Sequence, residues 1–249
     1  MKIVRLFGRL TALLLGAYAA AGPAQPFTDT TAFLNALPGP AGVLAFDGLA
    51  GGSDLSGATL NVTGGPGTGI RFPDSVLDWQ GATLRLQVVG DNPTSSPANS
   101  LGVDDPGNFN SISGGTFIDL GLTAPVSAVG LSFITPDDLS DDDIRLIAGN
   151  ETASLLVDDR TLVGTFGGNP YYAYFLGIVA GSGFNSASIR YGAGTGGAFF
   201  FNADDLTLAA APLPGTPLLI LGGALAALPR RQRSSRPSVR RGRSCASAP

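Results

Sequence analysis

Apolar residues in this chain come in short runs, each cut off by glycine or proline. Several runs alternate: Leu84, Leu86 and Val88 share one face, with Arg85 and Gln87 on the other. A two-residue period with β-branched and aromatic enrichment is the pattern of a half-buried strand, not of a helix. The candidate strands are Val43–Phe46, Thr59–Val62, Ile70–Phe72, Thr83–Val89, Thr116–Leu120, Val126–Ile134, Ile144–Ala148, Thr152–Val157, Tyr172–Ile178, Ser186–Tyr191, Ala198–Phe201 and Leu206–Ala209. Turn chemistry separates them at Gly64-Gly65-Pro66-Gly67, Asp91-Asn92-Pro93, Gly149-Asn150 and Gly167-Gly168-Asn169-Pro170. Many short strands without interleaved helices predict an all-β fold, an antiparallel β-sandwich of jelly-roll type. One short N-terminal helix is expected at Asp29–Leu37, capped by Asp29 or Thr28, with Phe33, Leu34 and Leu37 as its apolar stripe and Pro38 as its stop. It should cover an edge or open end of the sandwich.

The two ends of the chain are of another kind. Lys2, Arg5 and Arg9 precede an apolar stretch from Leu10 to Ala21, and small residues follow to Gln25. That order is the order of a secretory signal peptide over residues 1–25. Near the other end, Pro212-Leu213-Pro214-Gly215-Thr216 leads into an apolar run whose clean part is Leu218 to Leu228. Arg230, Arg231 and Arg233 follow directly. The run is short beside the ~20 residues a permanent span needs. It suits a transient hold in the inner membrane, with its arginines on the cytoplasmic side. This divides the chain into a signal peptide (1–25), a β-sandwich body (26–211), a sorting segment (212–233) and a basic, disordered tail (234–249).

Charge separates these parts sharply. All 19 acidic residues lie between Asp29 and Asp205, where the only cations are Arg71, Arg85, Arg145, Arg160 and Arg190. The body therefore carries a net charge of −14 and no lysine. Nucleic acid is excluded as a partner, because its recognition needs positive charge against phosphate. The chain has no histidine, and its one cysteine is Cys245 in the tail. Triads built on histidine, histidine-ligated metals, thiol nucleophiles and internal disulfides are excluded from the body.

The motif Pro212–Thr216, the apolar run and the arginine cluster together resemble the PEP-CTERM sorting domain. Leu213 stands where the usual motif has Glu, and residues 234–249 extend beyond the usual end. The resemblance implies export by a Gram-negative bacterium and processing by an exosortase, a membrane cysteine transpeptidase. The body is similar to a group of these proteins at Ala32-Phe33-Leu34-Asn35-Ala36-Leu37, Phe46-Asp47-Gly48-Leu49, Ile134-Thr135-Pro136-Asp137-Asp138-Leu139, Tyr174-Phe175-Leu176-Gly177-Ile178 and Asn202-Ala203-Asp204-Asp205-Leu206. What that implies is fold and place, a secreted or surface β-sandwich in an exopolysaccharide or biofilm setting, and not a reaction; the role expected here is structural or adhesive, with no catalytic residues.

Two binding readings stay open beside it. Jelly-roll sandwiches often pair their first and last strands, which would gather Asp47 with Asp204 and Asp205. Hard carboxylate oxygens suit Ca²⁺, so these three are the candidate metal ligands. The competing reading is that each Asp caps a turn, and Asp141-Asp142-Asp143 reads as a solvated acidic loop. Sugars would be held by exposed aromatics, for which Trp79 and Tyr171 are the candidates; Tyr172, Tyr174 and two of Phe199-Phe200-Phe201 read as core. An extracellular polysaccharide is the partner this implies, making a Ca²⁺-dependent carbohydrate-binding module the alternative. A glycosidase is the weakest reading, since one glutamate, Glu151 in a hairpin turn, and many scattered aspartates mark no facing carboxylate pair.

Overall fold

The structure is a computed structural model that describes residues 24–211 apart from Pro66, Asp91, Pro97 and residues 193–198. Residues 1–23 of the signal segment, the motif from Pro212 to Thr216, its apolar run, Arg230, Arg231 and Arg233, the tail, and most of the Gly192–Gly197 stretch lie outside the described residues, while Gln25, the last residue of the expected signal segment, opens the first strand. No helix among the described residues is long and apolar enough to cross a membrane.

The described chain is almost entirely antiparallel β. In order it runs β1 (Gln25–Phe27), α1 (Thr30–Ala36), β2 (Ala41–Leu44), β3 (Thr59–Asn61), β4 (Gly69–Arg71), β5 (Val76–Leu77), β6 (Thr83–Leu84), β7 (Leu86–Val89) and β8 (Ser100–Val103). It continues through β9 (Ile112–Ser113), β10 (Ile118–Thr135), β11 (Ile144–Ala148), β12 (Glu151–Ser154), β13 (Thr161–Phe166), β14 (Asn169–Tyr191) and β15 (Phe200–Ala210). One large sheet has the order β12-β11-β14-β10-β15-β8-β7. Further strands join it at the side: β1 and β13 on β14, β2 and β9 on β15, β4 on β10.

Three long strands replace six of the expected short ones. Ile118–Leu120 of the expected Thr116–Leu120, and Val126–Ile134, are parts of β10, Tyr172–Ile178 and Ser186–Tyr191 parts of β14, and Phe200–Phe201 and Leu206–Ala209 parts of β15. The glycines, serines and Pro125 between them do not end the strands. They sit at irregularities: β10 and β14 lose register between Gly121 and Ala128 and then resume pairing. A bulge bends a strand and increases its twist without stopping it. Each long strand thereby changes neighbours along its length. β10 lies beside β4 at Gly121–Leu122 and beside β15 from Val126 onward. β14 lies beside β13 in its first part and β11 in its last.

Two of the expected turns close hairpins, the second with Asn169 and Pro170 already inside β14. Ala148 faces Glu151 across Gly149-Asn150, with Gly149 at φ 60°. Phe166 faces Asn169 across Gly167-Gly168, at φ 59° and 87°. Two positive φ values in a two-residue loop match the twist of a hairpin, and glycine adopts them without steric cost. The second turn implies a strand on its near side, β13, which the alternation rule passes over because Gly164 interrupts its run.

The main core lies between inward faces that include Leu86, Val88, Leu101, Ile112, Leu131, Phe133, Tyr174, Leu176 and Ile189, all buried. A second, smaller cluster forms on the opposite face of the β10–β14 ladder and holds α1. Asp29 caps the helix, its Oδ1 accepting from Ala32 N at 2.6 Å. Phe33 is fully buried against Phe27 and Phe175, at ring separations of 5.9 and 5.2 Å. Leu34, expected in the stripe, is exposed instead. The helix does not sit on an edge: it lies on a sheet face, over the directly paired Gly130 and Gly177. The absence of two side chains from one cross-strand pair makes the recess that takes the Phe33 ring.

Gly177→Ala would put a methyl 2.5 Å from that ring, and Gly130→Ala one 2.7 Å from Phe175 and 2.9 Å from Phe33. Each is expected to lower stability by about 1–3 kcal/mol in urea unfolding. Gly39→Ala, with nothing within 4 Å, serves as the near-neutral control.

Candidate functional site

The first and last expected strands do pair. Leu44 faces Leu206 and Ala41 faces Ala209. Beyond Leu44 the chain makes a 3-10 turn, Phe46–Gly48, that carries Asp47. Asp204 and Asp205 lie in β15 just before the segment paired with β2. All three carboxylates then converge on one loop, the serine- and proline-rich stretch from Pro93 to Ser100.

They hold that loop at two points. Asp47 Oδ1 accepts from Asn99 N at 3.0 Å, while Asn99 Nδ2 donates to Leu49 O at 2.9 Å. Asp204 is fully buried. Its Oδ2 accepts from Ser96 N, Ser96 Oγ and Ser95 Oγ, each at 3.0 Å, and its Oδ1 from Asp205 N at 2.8 Å. Ser95 Oγ also lies 2.9 Å from Asp205 Oδ2. A hydroxyl has one hydrogen, so Ser95 serves one carboxylate at a time. Protein donors meet Asp47 Oδ1, both oxygens of Asp204 and Asp205 Oδ2, and among the described residues no three His, Cys, Asp or Glu are gathered as a metal-binding group.

Burial, and then the charge of Asp205, push the Asp204 carboxyl up to about 6 from 3.8. Hydrogen bonds from Ser96 and Asp205 pull the other way without cancelling the cost of burial.

The remaining acids are mostly structural. Asp141-Asp142-Asp143 is not a free solvated loop. Asp141 Oδ1 accepts from Val157 N at 2.8 Å, Asp142 pairs with Arg145 at 3.2 Å, and Asp143 is buried, accepting from Ser140 N at 2.6 Å. Backbone N–H groups and one guanidinium supply positive partners to three adjacent acids, of which only Asp143 is buried. Asp104 receives both Arg85 N and Arg85 Nε, at 2.6 and 2.9 Å, which ends the expected strand Thr83–Val89 at Arg85 and divides it into β6 and β7.

Of the two aromatic candidates, Trp79 is exposed at the tip of the β5–β6 hairpin, where Asp78 Oδ1 accepts from Gln80 N and Ala82 N. Tyr171 is buried, contrary to expectation. The extra residue at the irregularity, Val163, belongs to β13, and what covers Tyr171 is the Phe166 ring, packed edge-on at 6.4 Å. Burial raises the Tyr171 phenol above its usual range. Phe199 and Phe201 are buried and Phe200 half-buried, as the alternation implies.

A cleft of about 410 Å³ opens beside Tyr171, lined among others by Phe109, Phe166, Asp137 and Phe200. Phe109 is 66% exposed and Phe166 40%. Their rings stand nearly perpendicular, 6.3 Å apart. Phe109 and Asn110 both take left-handed φ values, 56° and 58°. Behind them Asn92, Ser111 and Asn202 form a buried network: Asn92 Nδ2 reaches Asn202 Oδ1 and Phe109 O, each at 3.1 Å, and Ser111 Oγ donates to Asn202 Oδ1 at 3.1 Å. The sequence signal for this site is the Asn-Phe-Asn triplet at 108–110, since Asn tolerates left-handed backbone.

No protein-family model matches the chain, and no curated protein matches it. A search of solved structures finds the K1 cleaved adhesin domain of Lys-gingipain from Porphyromonas gingivalis W83, at 10% identity over 77% of this chain and 100% of that one. The TM-score is 0.22, too low for the likeness to carry an argument.

Because Asp204 titrates higher when folded than when unfolded, it stabilises fully below about pH 3.8 and less as pH rises through about 6. The whole span amounts to about 3 kcal/mol. Wild type is expected to lose stability relative to Asp204→Asn between pH 4 and 7 in denaturant titrations. A difference that stays constant with pH contradicts the assignment.

Proposed function

We propose that the chain is an exported envelope or extracellular-matrix protein, sorted by an exosortase and serving a structural or adhesive role within exopolysaccharide. In this reading the long bent strands close the sheet into a jelly-roll-like sandwich. Residues 1–25 direct export from a Gram-negative cytoplasm. Pro212 to Thr216, the apolar run and Arg230, Arg231 and Arg233 hold the chain in the inner membrane for processing.

What carries the reading on the side of the body is the attachment point. The sorting motif follows β15 directly, and β15 is bonded on both sides, to β10 and to β2. Ala128 and Ala41 both face Ala209, and Ser127 Oγ donates to Ala210 O at 2.7 Å. A domain tethered through this end would pass load along two antiparallel ladders in shear, with many hydrogen bonds strained together. A tether attached to an edge strand would instead peel one ladder bond by bond. The acidic body, net −14, favours solubility and mutual repulsion over adsorption to anionic lipid. The Asp47–Asp204–Asp205 latch needs no metal for this role.

Intact-mass measurement of the extracellular form tests the sorting route. A mature chain beginning after the signal segment and ending near Pro214 is expected. A secreted form that retains Arg230 and the residues after it overturns the exosortase reading.

A further inference from the structure

The Phe109–Phe166 cleft has features that packing alone does not account for. Phe109 is a bulky residue in the left-handed region, and its neighbour Asn110 is there too. Such a conformation costs energy and persists only where surrounding bonds enforce it. Those bonds are present. Asp105 caps the Pro106–Asn108 turn through Gly107 N at 3.1 Å, Asn110 N donates to Asp105 O at 2.8 Å, and Val103 N donates to Asn110 O at 2.8 Å. Asn92 grips Phe109 O from below. The result of this enforcement is an exposed ring. Strain that buries an apolar side chain is repaid by the hydrophobic effect, and here the ring is instead held out to water.

The lining limits what the cleft could take. Besides Phe109, Phe166, Tyr171 and Phe200 it holds Asp137, Asn108 and Asn169, and no basic side chain. Anions are disfavoured, having a carboxylate to meet and no cation to pair with. A long acyl chain would strand the carboxylate and amides without partners. The Asp137 Oδ2 accepts from Phe200 N at 2.7 Å, which fixes the carboxylate, and Oδ1 has no donor among the described residues. Burial, and then the charge of Asp138, raise the Asp137 carboxyl above its usual range, against the pull of the Phe200 N–H. A volume of about 410 Å³ is at the small end of ligand sites. It has room for one or two sugar rings and is larger than a quaternary ammonium head fills. Aromatic faces for C–H surfaces, together with a fixed carboxylate and amides for hydroxyls, are complementary to a neutral sugar.

We infer that the cleft between Phe109, Phe166 and Asp137 is a binding site for neutral glycan, with Phe109 as the stacking surface and Asp137 accepting from sugar hydroxyls. This site is separate from Trp79 and from the Asp47–Asp204–Asp205 latch, and it uses no metal. It also stands apart from the sorting route: failure of C-terminal processing leaves it untouched, and its own failure leaves that route intact.

The test is saturation-transfer NMR and calorimetry on the full chain with cellobiose, maltose and lactose at millimolar concentration in EDTA, with choline chloride as the cationic probe. Saturable binding of at least one disaccharide is expected, unaffected by EDTA. Phe109→Ala and Asp137→Asn should each weaken it tenfold or more, while Trp79→Ala leaves it unchanged. Phe109→Gly relieves the backbone strain, so it should keep the fold by circular dichroism and still lose the sugar. If a Phe109 variant unfolds, Asp137→Asn, which preserves shape, decides alone. Absence of binding to all three disaccharides overturns the inference. So does binding of choline only, binding that requires Ca²⁺, or sugar binding indifferent to Phe109→Ala and Asp137→Asn.

Discussion

The antiparallel ladder between β10 and β14 is the constraint on which the rest of the structure depends. It runs from Ile118–Ile189 to Thr135–Tyr172 and is interrupted only where both strands bend. One face supplies Leu131, Phe133, Leu176 and Ile178 to the main core. The other carries the Gly130–Gly177 recess that seats Phe33. Its outer neighbours are β11, β13 and β1 on one side and β15 and β4 on the other. Both ends of the described chain are bound into this arrangement, β1 on β14 and β15 on β10. A body without disulfides must gain its stability from burial and strand pairing, and here both are concentrated on one pair of strands.

Charge is handled in a way that composition does not reveal. A net −14 would repel itself if the acids were merely spread over the surface. Many are instead fixed acceptors for backbone N–H groups: Asp29 at the helix, Asp78 and Asp105 in turns, Asp143 at Ser140, Asp137 at Phe200. Each such bond satisfies a donor that a loop would otherwise leave unpaired. Asp204 is the extreme case, buried beside Asp205 with only serine hydroxyls and amides for partners. The buried Asn92–Ser111–Asn202 network does the same for neutral groups next door. Two adjacent stretches of β15 thus hold up two different loops, one from Pro93 to Ser100 and one around Phe109.

Fold class was legible because alternation and turn chemistry are local. Leu86 and Val88 point inward and Arg85 outward as their spacing requires, and Gly149-Asn150 and Gly167-Gly168 close hairpins as their types demand. The pairing of Ala41–Leu44 with the last strand was also legible, from the habit of jelly-roll chains. Strand continuity was not, since Pro125 and Gly181-Ser182-Gly183 read as breaks and are bends within β10 and β14. Burial of Tyr171 was hidden because its cover, the Phe166 ring, comes from β13, a strand the alternation rule passes over. The aromatic cleft brings together Phe109, Asp137 and Phe166 from separate parts of the chain, a meeting that no short-range pattern encodes. Only the Asn108-Phe109-Asn110 triplet hinted at it.

Native-state hydrogen exchange reads the role of the central ladder residue by residue. The slowest amides should lie in 129–134 of β10 and 174–178 of β14, exchanging only through global unfolding, with β5, β6 and β13 opening far earlier. Exchange of the 129–134 and 174–178 amides as fast as those of the β5–β6 hairpin would contradict this, and would mean that the fold does not hang on the β10–β14 ladder.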